Sequence, residues 1–154
     1  MGKAPGRVSA GRNKSFMPDF GKEEVTAMFN KILVVDDEES VRDAMQALFE
    51  DCNFEVTVAE NAEKALEILR SDTIQIMFFD LMMPGMSGVD LCKEIRSTNP
   101  IACIFAMTGY RGLFDLVKCR SAGFDDYFQK PVPLDLLVET AQMASARLKR
   151  WTGQ

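Results

Sequence analysis

Asp36 and Asp37 follow the run "KILVV", Asp80 follows "IQIMFF", Thr108 follows "IACIFAM" and Lys130 follows "DYFQ". Apart, each residue has an ordinary use. The acids from Asp36 to Glu39 suit the first turn of a helix, whose dipole favours them. Asp80 could close a loop, Thr108 could cap the next helix, and Lys130 could be a solvated strand end. Together they could hold a cation and an anion side by side. Clustered carboxylates raise one another's pKa and resist ionisation unless positive charge is near. Lys130 supplies one such charge, and a divalent ion is the natural second. Oxygen-only ligands without histidine or thiolate point to Mg2+, which takes a few carboxylates and keeps several waters.

The elements that must bring these residues together are legible in the hydropathy pattern. "KILVVD", "FEVTVA", "IQIMFFD", "IACIFAMT" and "DYFQK" read as five strands. Between them apolar residues recur at helical spacing. Val41, Ala44, Met45, Leu48 and Phe49 form the first stripe. Ala62, Ala65, Leu66 and Leu69 form the second, with Asn61 placed as N-cap. Gly88, Leu91, Cys92 and Ile95 share a face of a helix that stops before Pro100. Leu113, Leu116, Val117 and Arg120 lie on the next helix. Leu134, Leu137, Val138, Ala141, Ser145 and Leu148 mark a long last one. Near-continuous apolar strands need cover on both faces, so the expected fold is α/β and doubly wound, with a five-stranded parallel sheet. The flavodoxin-like (βα)5 order 2-1-3-4-5 has its site at the strand 1/strand 3 switch point, outside the carboxyl ends. All five residues above fall at that edge.

Bulk properties narrow the function. The chain has 154 residues, 47% hydrophobic and 27% charged, with a net charge of −5. That balance suits one globular unit and lacks the positive footprint of a nucleic-acid binder. No apolar run reaches the roughly 20 residues that cross a bilayer. The basic N-terminus "MGKAPGRVSAGRNKSF" has no apolar segment behind it, and Gly6 stands where myristoylation needs Ser or Thr. The expected compartment is the cytoplasm. Cys52, Cys92, Cys103 and Cys119 are scattered and read as reduced apolar residues. There is no histidine, so Ser-His and Cys-His nucleophile pairs are excluded. Phosphate-binding glycine loops are absent too. Any phosphoryl chemistry must draw its nucleotide or phosphohistidine from another protein.

Four stretches, "ILVVDDEE", "FFDLMMPGMSG", "MTG" and "DDYFQKPV", occur in an order that resembles the response-regulator receiver domain of two-component signalling, in its stand-alone, chemotaxis-regulator-like form. The resemblance covers about Lys31 to Arg150. It implies that Asp80 is the phosphoacceptor. Mg2+ would be held by Asp37, Asp80 and the backbone carbonyl of Met82, with Asp36 assisting through water. Thr108 and Lys130 would contact the phosphoryl group, and the Lys130–Pro131 bond would be cis. Tyr127 matches the switch aromatic. Met82 and Tyr110 occupy the positions that control dephosphorylation rate, and neither offers a carboxylate or amide to orient water.

The expected function is therefore phosphorelay signal transduction by a phosphoacceptor switch rather than an enzyme. A sensor histidine kinase or phosphotransfer protein donates, and a downstream protein target receives the signal. A homodimer through helix 4, strand 5 and helix 5 of the (βα)5 unit is a further expected partner, with Phe114, Leu136 and Met143 exposed on that face. Nucleic acid and membrane are not expected partners. A phosphohydrolase of the haloacid-dehalogenase type would need an acid at Met82, and a flavin carrier would meet repulsion from "DDEES". A receiver-like binding module would normally have lost one of the acids or the lysine. Residues 1–30 are expected to form a tail with a short helix packing Val25, Met28 and Phe29, residues 31–150 the receiver, and 151–154 an end with no output domain.

Overall fold

Each of the five apolar runs forms a strand in the computed structural model, which describes residues 21–109 and 113–152, with side chains described for 21–109 and 116–152. The elements alternate as α1 (Lys22–Met28), β1 (Lys31–Val35), α2 (Glu39–Asp51), β2 (Glu55–Ala59), α3 (Ala62–Ser71), β3 (Ile76–Asp80), α4 (Gly88–Thr98), β4 (Cys103–Thr108), α5 (Leu113–Ala122), β5 (Asp126–Gln129) and α6 (Leu134–Trp151). All strand pairs are parallel, and the sheet order is β2-β1-β3-β4-β5. Both expectations hold.

Strand alternation divides the apolar side chains between two cores. Leu33, Val35, Met77, Phe79, Ile104 and Ala106 face α3, α4 and α5. Ile32, Val34, Ile76, Phe78, Phe105 and Met107 face α1, α2 and α6. Every residue of β3 and β4 is buried, as strands covered on both faces require. The central strand thus presents Asp80 from a rigid base. Phe78 sits between Phe49 and Phe105 at ring separations of 5.2 and 5.1 Å, which fixes the strand against α2.

Helix α1 packs into the second core through Val25, Met28 and Phe29, the last fully buried. At about 2 kcal/mol for a large side chain taken out of water, it contributes to the fold rather than lying on it. Asn61 caps α3 by accepting from the Lys64 N–H at 2.8 Å. Arg96, which no sequence pattern singled out, ties α4 to two loops. It donates to the carbonyls of Pro100, Ala102 and Gly123 and to Asp125. All four cysteines are free thiols.

Some stripe residues differ from expectation. Leu134, in the first turn of α6, is 59% exposed, because it borders an open groove shared with Val41 and Ala44 of α2. Ala44 is exposed, at the margin of α2's buried face. Leu116 and Val117 are exposed on α5, which buries Cys119 and Ala122 instead. Met143 is exposed as expected and Leu136 is half-buried; the Phe114 side chain lies outside the described residues. Among the described residues no helix is long and apolar enough to cross a membrane.

Candidate functional site

Register brings the polar residues to one edge. Val35 pairs with Phe79 and Asp80 with Met107, so Asp36, Asp80 and Thr108 lie side by side just past the last apolar pairs. The Asp36 N–H donates to Ala59 and the Lys130 N–H to Thr108, extending the ladder to both flanks. Asp36, Asp80 and Thr108 are buried while Asp37 is exposed. A bond of 2.7 Å joins the Lys130 ammonium to Asp36 Oδ2, and the same ammonium stands 3.7 Å from both Asp80 and Glu38. The Lys130–Pro131 bond is cis, as expected.

One carboxylate oxygen from each of Asp36, Asp37 and Asp80 lies within 4.8 Å of the others. Burial pushes the Asp80 carboxyl up to about 6; Asp36 adds to the rise, and Lys130 and the Met82 N–H oppose it. Burial also works against the Lys130 charge, but Asp36, Asp80 and Glu38 outweigh it and hold the ammonium above its usual range. Three carboxylates with one full cation are thus short of positive charge. A divalent ion fits that deficit and the all-oxygen donor set.

The loop after β3 keeps Asp80 accessible. The Met82 N–H donates to Asp80 Oδ1 at 3.3 Å. Gly88 opens α4 directly beneath: a Cβ there would come within 2.4 Å of the Asp80 carbonyl oxygen. The Gly88 N–H donates to Leu81 and Ser87 caps the helix. Sequence reading placed Gly88 only on an apolar face; a glycine at the first helical position, behind a serine cap, was the available signal. Two supports of Asp36 were also missed. The Glu38 N–H donates to Asp36 Oδ1, and Arg42 donates to the Asp36 carbonyl. Tyr127 is half-buried against the α3–α5 core. Met82 is 67% exposed. Tyr110 lies outside the described residues.

The uncompensated charge has a consequence for stability. Asp80 binds its proton more tightly folded than unfolded, so its contribution is present below its unfolded pKa and lost as pH rises through about 6. Asp80→Asn is therefore expected to stabilise the metal-free protein above that range, by roughly 3 kcal/mol at a scale of about 1.4 kcal/mol per pKa unit. The gain should fade on acidification towards about pH 4. Urea unfolding in chelator at both ends of this window checks it. A loss of stability, or a gain independent of pH, would contradict the burial of an ionised Asp80.

Known proteins resemble this chain. The response regulator receiver domain model matches residues 32–142, and the chain belongs to that family. It is 39% identical over 106 residues to a cyclic di-GMP phosphodiesterase of Thermotoga maritima, covering 69% of this chain and 28% of that protein. With response regulator MprA of Mycolicibacterium vanbaalenii the identity is 32% over 108 residues, covering 70% of this chain and 47% of that one. Among solved structures, a CheY-like receiver domain protein from Methanospirillum hungatei superposes with a TM-score of 0.75 at 28% identity, covering 78% of this chain and 96% of that one. The chain thus spans from about a quarter to half the length of these two curated relatives.

Proposed function

We propose that this receiver accepts a phosphoryl group on Asp80 from a partner histidine kinase or phosphotransfer protein, and that it acts as a switch of protein–protein contacts in the cytoplasm. The observation that carries this is the position of Asp80: it alone of the three clustered carboxylates ends the central strand, with the Lys130 ammonium 3.7 Å away. An Asp80 oxygen attacks phosphorus, a P–O bond forms, and the P–N bond to the donor histidine (or the P–O bond of a small acyl phosphate) breaks. The electron pair leaves with the donor. Lys130, already oriented by Asp36, is positioned to meet the charge on the transferring oxygens, and the Thr108 hydroxyl would donate to them. Asp36, Asp37, Asp80 and the Met82 carbonyl would hold Mg2+, which offsets phosphoryl charge when bound. Tyr127, at the boundary of the α3–α5 core, would transmit the change to the face formed by α5, β5 and α6, the expected output or homodimer surface.

Incubation with acetyl phosphate and Mg2+ is expected to add one phosphoryl group by intact mass, and none when the metal is chelated. Labelling of Asp80→Asn equal to wild type would refute the assignment. Met82 and Tyr110 are proposed to restrain dephosphorylation, since neither side chain can orient an attacking water. A Met82→Asn, Tyr110→Glu double variant should lose phosphate about tenfold faster in a timed mass measurement. An unchanged or longer lifetime would remove both residues from that role.

A further inference from the structure

Beside the phosphoryl site, a groove of about 330 Å3 runs between α4 and α5. Leu81, Met82, Val89 and Val117 give it an apolar floor and lip, and Lys93 from α4, Lys118 from α5 and Asp90 line its polar side. Met82 and Val117 are 67% and 54% exposed, and Leu116, beside Val117, is 42% exposed. Two of the six large apolar side chains exposed among the described residues therefore line the groove. Among its described residues helix α5 exposes Leu116 and Val117 while burying Cys119 and Ala122, as a helix does when its outer side faces a partner rather than water.

We propose that the α4–α5 groove docks an acidic amphipathic helix of a partner protein. Its apolar face would cover Met82 and Val117, and its carboxylates would meet Lys93 and Lys118. Charge complementarity selects this occupant. The chain carries a net charge of −5, so an acidic partner is repelled by the body as a whole and is drawn where lysines stand, as at Lys93 and Lys118. This surface lies on the flank of α5 away from β5 and α6, and binding there does not require phosphorylation, though it responds to it. The inner end of the groove is formed by Thr108 and Met82, whose N–H bonds Asp80. Occupancy and the state of Asp80 are then linked, and the linkage is reciprocal.

The test uses the full chain and a fluorescein-labelled helical peptide with leucines along one face flanked by glutamates, beside the same peptide with lysines for the glutamates. The glutamate peptide is expected to bind at least about tenfold tighter by anisotropy, a difference of about 1.4 kcal/mol. Its NMR shifts should map to α4 and α5. Val117→Asp should abolish binding, and Lys93→Glu with Lys118→Glu should invert the preference, with all variants melting like wild type. Equal binding of the two peptides, insensitivity to charge reversal, or shifts confined to another face would overturn the proposal. So would a concentration-dependent dimer of the free protein that Val117→Asp dissolves, which would assign the groove to a second copy.

Discussion

Replacing Lys130 with methionine is expected to slow phosphoryl uptake from acetyl phosphate by about a hundredfold and to destabilise the fold. The rate loss follows from removing the positive group facing the transferring oxygens, worth about 10²-fold or more where such a group is preorganised. The stability loss has a separate origin. Asp36 is fully buried and its side chain is balanced by the 2.7 Å bond to Lys130, with the Glu38 N–H donating to its other oxygen. Removing one member of a buried ion pair leaves the other uncompensated, at a cost of about 3 kcal/mol. Asp36→Asn added to Lys130→Met should recover most of that stability while leaving uptake slow. Urea melts and timed mass spectra separate the two effects. If the single variant is as stable as wild type, the pair is not what holds Asp36 in place.

Gly88→Ala should damage the site from below. The added methyl would lie 2.4 Å from the Asp80 carbonyl oxygen and 3.0 Å from Leu81 Cα. Both obstacles are backbone, so no side chain can turn aside. Either α4 shifts or the end of β3 does. Overpacking of this kind costs about 3 kcal/mol, and a displacement near 1 Å of the reacting group costs about 10²-fold in rate. A thermal melt and the acetyl phosphate assay should both register the change. Wild-type uptake in a destabilised Gly88→Ala would mean that α4 alone moves.

The sequence made the sheet readable because burial on both faces leaves continuous apolar runs, and every run but that of β2 stopped at a residue that now lines the site. Asp36, Asp37, Asp80, Thr108 and Lys130 could be gathered because parallel topology sends every strand's carboxyl end to one edge. What stayed hidden depends on distances between backbones. The serine–glycine pair in "MSGVD" marks a helix start, but only the folded backbones place Gly88 under the Asp80 carbonyl and let Arg96 bridge α4 to two loops. The stripes failed where the apolar residue meets no opposing layer: Leu134 borders an open groove beside α2, and Val117 faces the α4–α5 groove. Helical spacing records which residues share a face, and only packing decides whether that face is covered.

The central claim is that the phosphoryl group resides on Asp80. Borohydride reduces an acyl phosphate to an alcohol and so marks the acceptor covalently. Protein phosphorylated with acetyl phosphate and Mg2+, trapped in this way and digested, should carry the reduced residue at position 80 and leave Asp36 and Asp37 unmodified. A mark at Asp36 or Asp37, or none in protein whose intact mass shows phosphorylation, would contradict the assignment.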